Sequence, residues 1–184
     1  MSLVTQNSLL LTKLVEFYDK DGNMERILPI INGESMISLR LIDWFATNFS
    51  KKNYTVYPLK GRDGEDKRFK VYIDYKLKLK AYSKKRFDPF CRWDRITIPY
   101  KNDTYIQTTI GQLNFFRWAL ENKILNYIET NLVKINNDMN NRNSTAKNRK
   151  EKVNVKTRKK REELSISASK SIKKEKVEII VDFK

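Results

Sequence analysis

The sequence predicts an α+β domain, with a small mixed or antiparallel sheet and two main helical regions, followed by a flexible basic C-terminal tail. Three observations carry that prediction. Apolar residues recur three and four apart at 37–49 and again at 113–139, as on the buried face of a helix. Between these stretches lie short runs of β-branched and aromatic residues, separated by turn-forming clusters. After Asn140 the aromatic residues disappear until Phe183, and cations dominate. The domain therefore spans 1–142 and the tail 143–184, with a strand-like segment at its end.

Residues 3–31 hold apolar clusters at Leu9–Leu14 and Ile27–Ile31, divided by Asp19-Lys20-Asp21-Gly22-Asn23. The Asp-Gly pair marks a turn between two short elements, either two strands or a helix and a strand. The same five residues resemble the start of a calcium-binding loop. However, the glycine stands two positions early and no glutamate closes the loop, so calcium is not expected.

A serine cap at Ser35 or Ser38 opens a helix carrying Ile37, Leu41, Trp44, Phe45 and Phe49, and Lys51, Lys52 and Asn53 close it. Tyr54–Pro58 and the run from Phe69 read as the strands of a hairpin across the polar, glycine-bearing segment 60–66. From Phe69 to Ala81 every second residue is apolar, and Lys70, Lys76, Lys78 and Lys80 fall between. That is a strand with one wet face, assigned as far as Tyr75. Beyond it, Tyr75, Leu79 and Tyr82 also share a helical face. Pro89 ends this element. Arg95–Tyr100 and Thr104–Thr108 are two further strands turning at 101–103, and Thr109 with Gln112 forms a capping box for a helix that runs to Asn140 with a break near Asn122.

Charge is unevenly placed. Lys and Arg number 38 against 22 Asp and Glu, giving a net of +16 and a pI near 9.8. From Lys67 to Arg95 there are eleven cations against three Asp, whereas the rest of 1–143 holds thirteen of each sign. The domain's whole excess thus lies in one stretch, which predicts a surface for a polyanion, with nucleic acid the first expectation. The residues assigned to it are Lys76, Lys78, Lys80, Lys84, Lys85, Arg86, Arg92 and Arg95, joined by Lys156, Arg158, Lys159, Lys160 and Arg161 of the tail. Tyr82, Phe87, Phe90 and Trp93 are interleaved with them, either to stack on bases or, as large aromatics usually do, to fill the core.

Enzymatic chemistry finds little support. With no histidine, neither a Ser-His-Asp nor a Cys-His system can be assembled. One cysteine, Cys91, supports neither a zinc site nor an internal disulfide, and fits a reducing compartment. The five glycines are scattered, so no P-loop or dinucleotide fingerprint exists. No cofactor is expected. Asp74-Tyr75-Lys76 on a strand, with Asp63 or Asp66 upstream, loosely matches the acidic and lysine residues of restriction-like metal nucleases, without their Pro-Asp element. No apolar run reaches the ~18 residues of a membrane span, and the N-terminus has no signal-peptide pattern, so a soluble intracellular protein is expected.

Three strings, ISLRLIDWFATNFSKKN (37–53), LKAYSKKRFDPFCR (79–92) and TTIGQLNFFRWALENKILNYI (108–128), resemble the blocks of an uncharacterised protein family of nucleocytoplasmic large DNA viruses, of the mimivirus and marseillevirus kind. The resemblance covers roughly 36–140 and leaves out the first thirty or so residues and the tail. It supplies no catalytic residues. It implies a viral protein located in the virion or in the cytoplasm or nucleus of the infected cell. With the charge pattern, the expectation is a non-enzymatic protein binding DNA or RNA in genome packaging or viral transcription. The alternative is an internal or minor capsid protein bound to other viral structural proteins, in which VEIIVDF (177–183) completes a sheet. A metal-dependent nuclease is the third reading.

Overall fold

The computed structural model describes residues 6–20, 22–61, 64–91, 95–100, 104–151 and 173–176. Both N-terminal elements are helices: α1 (Gln6–Tyr18) and α2 (Asn23–Asn32). The expected strands are absent here. The turn falls at Gly22, whose φ of 62° is a left-handed conformation open to glycine at no cost, and it joins two helices rather than two strands. Three isoleucines in α2 favour a strand intrinsically, but Met24, Ile27, Leu28, Ile30 and Ile31 are buried along one side of the helix. That burial outweighs propensity differences of a few tenths of a kcal/mol per residue.

The helix predicted from Ser35 or Ser38 is capped at Ser38, whose Oγ accepts from the N–H of Leu41 at 3.1 Å. It comprises α3 (Leu39–Trp44), a single π-helical turn over Phe45–Phe49, and α4 (Ser50–Lys52). β1 (Val56–Lys60) and β2 (Asp66–Lys70) form the expected antiparallel hairpin, with Tyr57 opposite Phe69 and Val56 opposite Lys70. Tyr57 faces the core, where its ring stacks on Tyr127 and its hydroxyl donates to the carbonyl of Asn122 at 2.7 Å.

The strand assigned through Tyr75 ends at Lys70, and α5 (Val71–Phe87) takes over. Residues alternating at period two also recur every fourth position, so Val71, Tyr75 and Leu79 satisfy either geometry. Burial decides between them: Val71 and Tyr75 are buried while Ile73 and Leu77 stand 49% and 60% exposed. A strand would have buried all of them on one face. Ser83 breaks the helix with φ 64° and ψ 165°.

β3 (Arg95–Tyr100) and β4 (Thr104–Thr109) pair antiparallel as expected, and β5 (Lys173–Lys176) adds to the free edge of β4. The class is thus α+β, with two small antiparallel sheets in place of one and more helix than the two regions predicted. The strand β5 precedes the run expected to complete a sheet, since 177–183 lies outside the described residues.

Thr109 caps α6 (Ile110–Glu121), its Oγ1 accepting from the N–H of Gln112 at 3.2 Å. The predicted break is real: Asn122 ends α6, Lys123 adopts φ 53°, and α7 (Ile124–Thr130) and α8 (Leu132–Glu151) follow. The last helix continues past 142, the boundary expected from composition. Its register against α3 and α4 is held by Asp138, whose carboxylate accepts from Trp44 Nε1 at 3.1 Å and from Lys52 Nζ at 2.8 Å. The Lys52 ammonium beside it keeps that carboxyl below its usual range.

α6 is the centre of the molecule. It packs against α1, α5 and α7, and from Gly111 to Leu120 all but Arg117 are buried. A helix apolar on every side is covered on every side. Gly111 is needed for closeness, because a Cβ there would lie 2.9 Å from the carbonyl oxygen of Asp88 and 3.0 Å from that of Lys85. Backbone at the end of α5 must therefore yield to admit one methyl group. Gly111→Ala should lower stability by about 1–3 kcal/mol, the usual cost of overpacking. A urea midpoint equal to that of the wild type would show that α5 and α6 are not pressed together in this way.

Candidate nucleic-acid interface

The basic stretch is divided between three elements. β2 carries Lys67, Arg68 and Lys70, all exposed. On α5, at 100° per residue, Ile73, Lys76, Leu77 and Lys80 fall within one arc pointing to solvent, opposite the buried Val71 and Tyr75. Lys78 lies on the flank and is half-buried. Lys84 and Lys85 are exposed beyond the break at Ser83. Lys76, Lys80 and Lys84 have no carboxylate partner among the described residues, whereas Lys52 and Arg117 are paired with Asp138 and Glu121. Arg95 is exposed at the start of β3, apart from the α5 arc in sequence.

Arg86 has another task. Its Nε donates to Asn7 Oδ1 at 2.7 Å and its carbonyl accepts from Asn114 Nδ2 at 2.9 Å, so it ties α1 and α6 to the end of α5. Arg92 and the tail residues Lys156, Arg158, Lys159, Lys160 and Arg161 lie outside the described residues.

The interleaved aromatics belong to the core. Phe87 is fully buried, with ring centroids 5.7–6.0 Å from Trp118, Tyr75, Phe115 and Tyr82, and Phe90 packs against the same cluster. Trp93 lies outside the described residues. Base stacking by Tyr82, Phe87 and Phe90 is therefore not what the fold provides.

Asp74 is on a helix rather than a strand, and its Oδ1 accepts from Trp118 Nε1 at 2.6 Å. The strand on which the nuclease pattern depends is missing. Among the described residues no group of three His, Cys, Asp or Glu is placed to hold a metal ion. Among the same residues no helix is long and apolar enough to cross a membrane.

The sequence carries little signal for one further feature. Where β2 passes into α5, a cavity of about 320 Å³ is lined by residues that include Lys51, Tyr54, Thr55, Val56, Lys70, Tyr72 and Ile73. Lys51 and Tyr54 come from the end of α4 and the turn after it, roughly twenty residues before the arc of α5. Their local pattern is a lysine pair, an asparagine and a tyrosine, which also serves as a helix stop.

A family model described as a family of unknown function (DUF7197) matches residues 3–184. It therefore takes in the N-terminal helices and the tail, which the resemblance of the three strings leaves out. A mimivirus protein, "Uncharacterized protein L507" of Acanthamoeba polyphaga mimivirus, is 47% identical over 133 residues, which make up 70% of this chain and 50% of that protein. The chain spans about half the length of that relative, and the viral family indicated by the three strings is borne out. No solved structure matches.

Proposed function

We propose that this chain, which belongs to the DUF7197 family, acts by binding nucleic acid in packaging or transcription of a viral genome. The observation that carries the reading is the solvent face of α5, where Lys76 and Lys80 project without carboxylate partners among the described residues, directly after the cations of β2. Lysines without internal ion pairs can displace condensed counterions from phosphates, and the entropy of that release drives association. In the sequence, Lys156, Arg158, Lys159, Lys160 and Arg161 contribute five further positive charges to the chain's attraction for a polyanion.

The test is a fluorescence titration of the full chain against single- and double-stranded DNA and RNA between about 50 and 200 mM salt. Affinity should fall steeply with salt, and Lys76→Glu with Lys80→Glu should reduce the log–log slope by about 2, one unit for each phosphate no longer neutralised. A slope unchanged by the double substitution removes α5 from the interface.

A second reading is favoured by Ile73 and Leu77, which lie exposed on the same arc. Apolar residues among lysines suit a protein surface as well as a polyanion, and in this reading the face docks on another virion component as part of an internal or minor capsid assembly. Copurification with capsid shells, together with salt-insensitive behaviour in the titration, would select it.

A further inference from the structure

We propose that β5 is a guard strand, laid over an edge of β4 that would otherwise pair with the same edge of a second copy of this chain. The pairing itself is the first observation. Lys173–Lys176 runs antiparallel to β4, with Lys173 opposite Gln107, Lys174 opposite Ile106, Glu175 opposite Tyr105 and Lys176 opposite Thr104. Lysine and glutamate are poor strand formers, and KKEK holds no β-branched or aromatic residue. Intrinsic preference therefore does not make this strand. The edge of β4 makes it, by offering N–H and C=O groups that a backbone of any sequence can satisfy.

The second observation is the contrast between the edges. The sheet runs in the order β3-β4-β5, so β4 has β3 on one side and β5 on the other. Its sequence, TYIQTT, is uncharged and free of proline and glycine, and its threonines, isoleucine and tyrosine suit a strand. An open edge of that composition is a template for another chain. β3, the outer strand on the far side, carries Pro99, which has no N–H to offer there. β5 brings the other common protection, charge, since all four of its residues ionise and three are lysine. Both outer strands thus discourage a further strand, whereas the one they enclose invites it.

The tether decides which copy supplies the guard. The 21 residues 152–172 join α8 to β5. A tethered strand competes for its edge at an effective concentration on the order of millimolar, so at micromolar protein its own edge wins over a neighbour's. Among the described residues β4 is the element against which β5 chiefly packs, and their ladder is four residues long. A short strand without apolar anchors opens readily. Two uncovered β4 edges can then pair antiparallel about a two-fold axis, since such a contact needs only a surface complementary to itself. The result is a continuous sheet, β3-β4-β4-β3, across two copies.

The test compares the full chain with a release variant, Lys174→Pro with Glu175→Pro, by sedimentation at about 0.15 M salt, where charges more than ~8 Å apart are screened. Adjacent strand residues point their N–H groups to opposite sides, so one of the two prolines removes a bond to β4. Wild type should sediment at the mass of one chain, 21.9 kDa. The variant, with unchanged circular dichroism, should sediment at twice that mass. Adding Gln107→Lys should weaken the variant's association several-fold, because residue 107 lies beside the middle of β4 and brings two lysines together across the new pair. Hydrogen exchange reads the wild type alone: the amides of 104–107 that point toward β5 should be protected, and should exchange about tenfold faster or more in dilute variant. A wild type already dimeric, a folded variant that stays single, an association indifferent to Gln107→Lys, or outer amides unprotected in wild type each overturns the proposal. Loss of the fold in the release variant would make β5 part of the core rather than a guard. A variant that binds a VEIIVDF peptide in preference to a second copy overturns the self-pairing and makes the edge a site for residues 177–183.

Discussion

Phe87→Ala should destabilise the protein by about 3–5 kcal/mol, the range found when a fully buried phenylalanine is truncated. Phe87 has no exposed surface, and its ring is surrounded by Tyr75, Tyr82, Phe115 and Trp118. The neighbouring segments cannot close the gap readily. Gly111 already holds α6 against the backbone of Asp88 and Lys85, and Asn114 binds the carbonyl of Arg86. The cavity would remain largely open, which places the cost toward the upper part of that range. Urea denaturation followed by circular dichroism measures it, and Phe87→Leu, keeping most of the volume, should cost visibly less. A shift below about 1 kcal/mol for the alanine variant would mean that this ring is not the keystone between α5 and α6.

The second large effect is electrostatic. Asp43, near the end of α3, has its carboxyl pushed up to about 7, first by burial and then by the nearby carboxylate of Asp88. The raised value means that the folded state holds a proton which the unfolded chain, with an ordinary carboxyl near 3.8, has already released. Between about pH 4 and pH 7 the native state binds more protons, so stability falls as pH rises through that window and the penalty is complete above it. About three pH units correspond to at most about 4 kcal/mol. Asp43→Asn removes the titrating group, so the variant should match the wild type near pH 4 and exceed it by on the order of a few kcal/mol at pH 8. A difference between the two proteins that does not change with pH would show that Asp43 is ionised at no cost in the fold. Because Asp43 and Asp88 both act on Tyr75, whose hydroxyl is also held neutral chiefly by burial, the pH response is centred on the packing of α3 near α5.

These two effects concern the part of the molecule that is unevenly legible in the sequence. Thr109 and Ser38 were identifiable as caps, and Asn122 as a break, because each depends on neighbours within four residues. The hairpins were legible for the same reason. The helix of Val71–Tyr75 was not, since period two and period four coincide in FKVYIDYKLKLKA, and only the apolar surface of α6 decides which of the two periods is buried. The N-terminal pair failed in like manner: three isoleucines favour a strand until a core is available to one side of a helix.

For the candidate site, the sequence alone determined the sign of the charge, its concentration between Lys67 and Arg95, and the lack of any histidine in this chain, because composition and local order fix those properties in any conformation. The tertiary structure decided which cations face solvent and which are braces. Lys76 and Lys80 point outward only because Val71 and Tyr75 are drawn into the core, and Arg86 is spent on Asn7 only because α1 packs beside the end of α5. It alone brought Lys51, Tyr54 and Thr55 against Lys70 and Tyr72. Contacts between residues some twenty positions apart depend on which surfaces the core buries, and no local pattern encodes that choice.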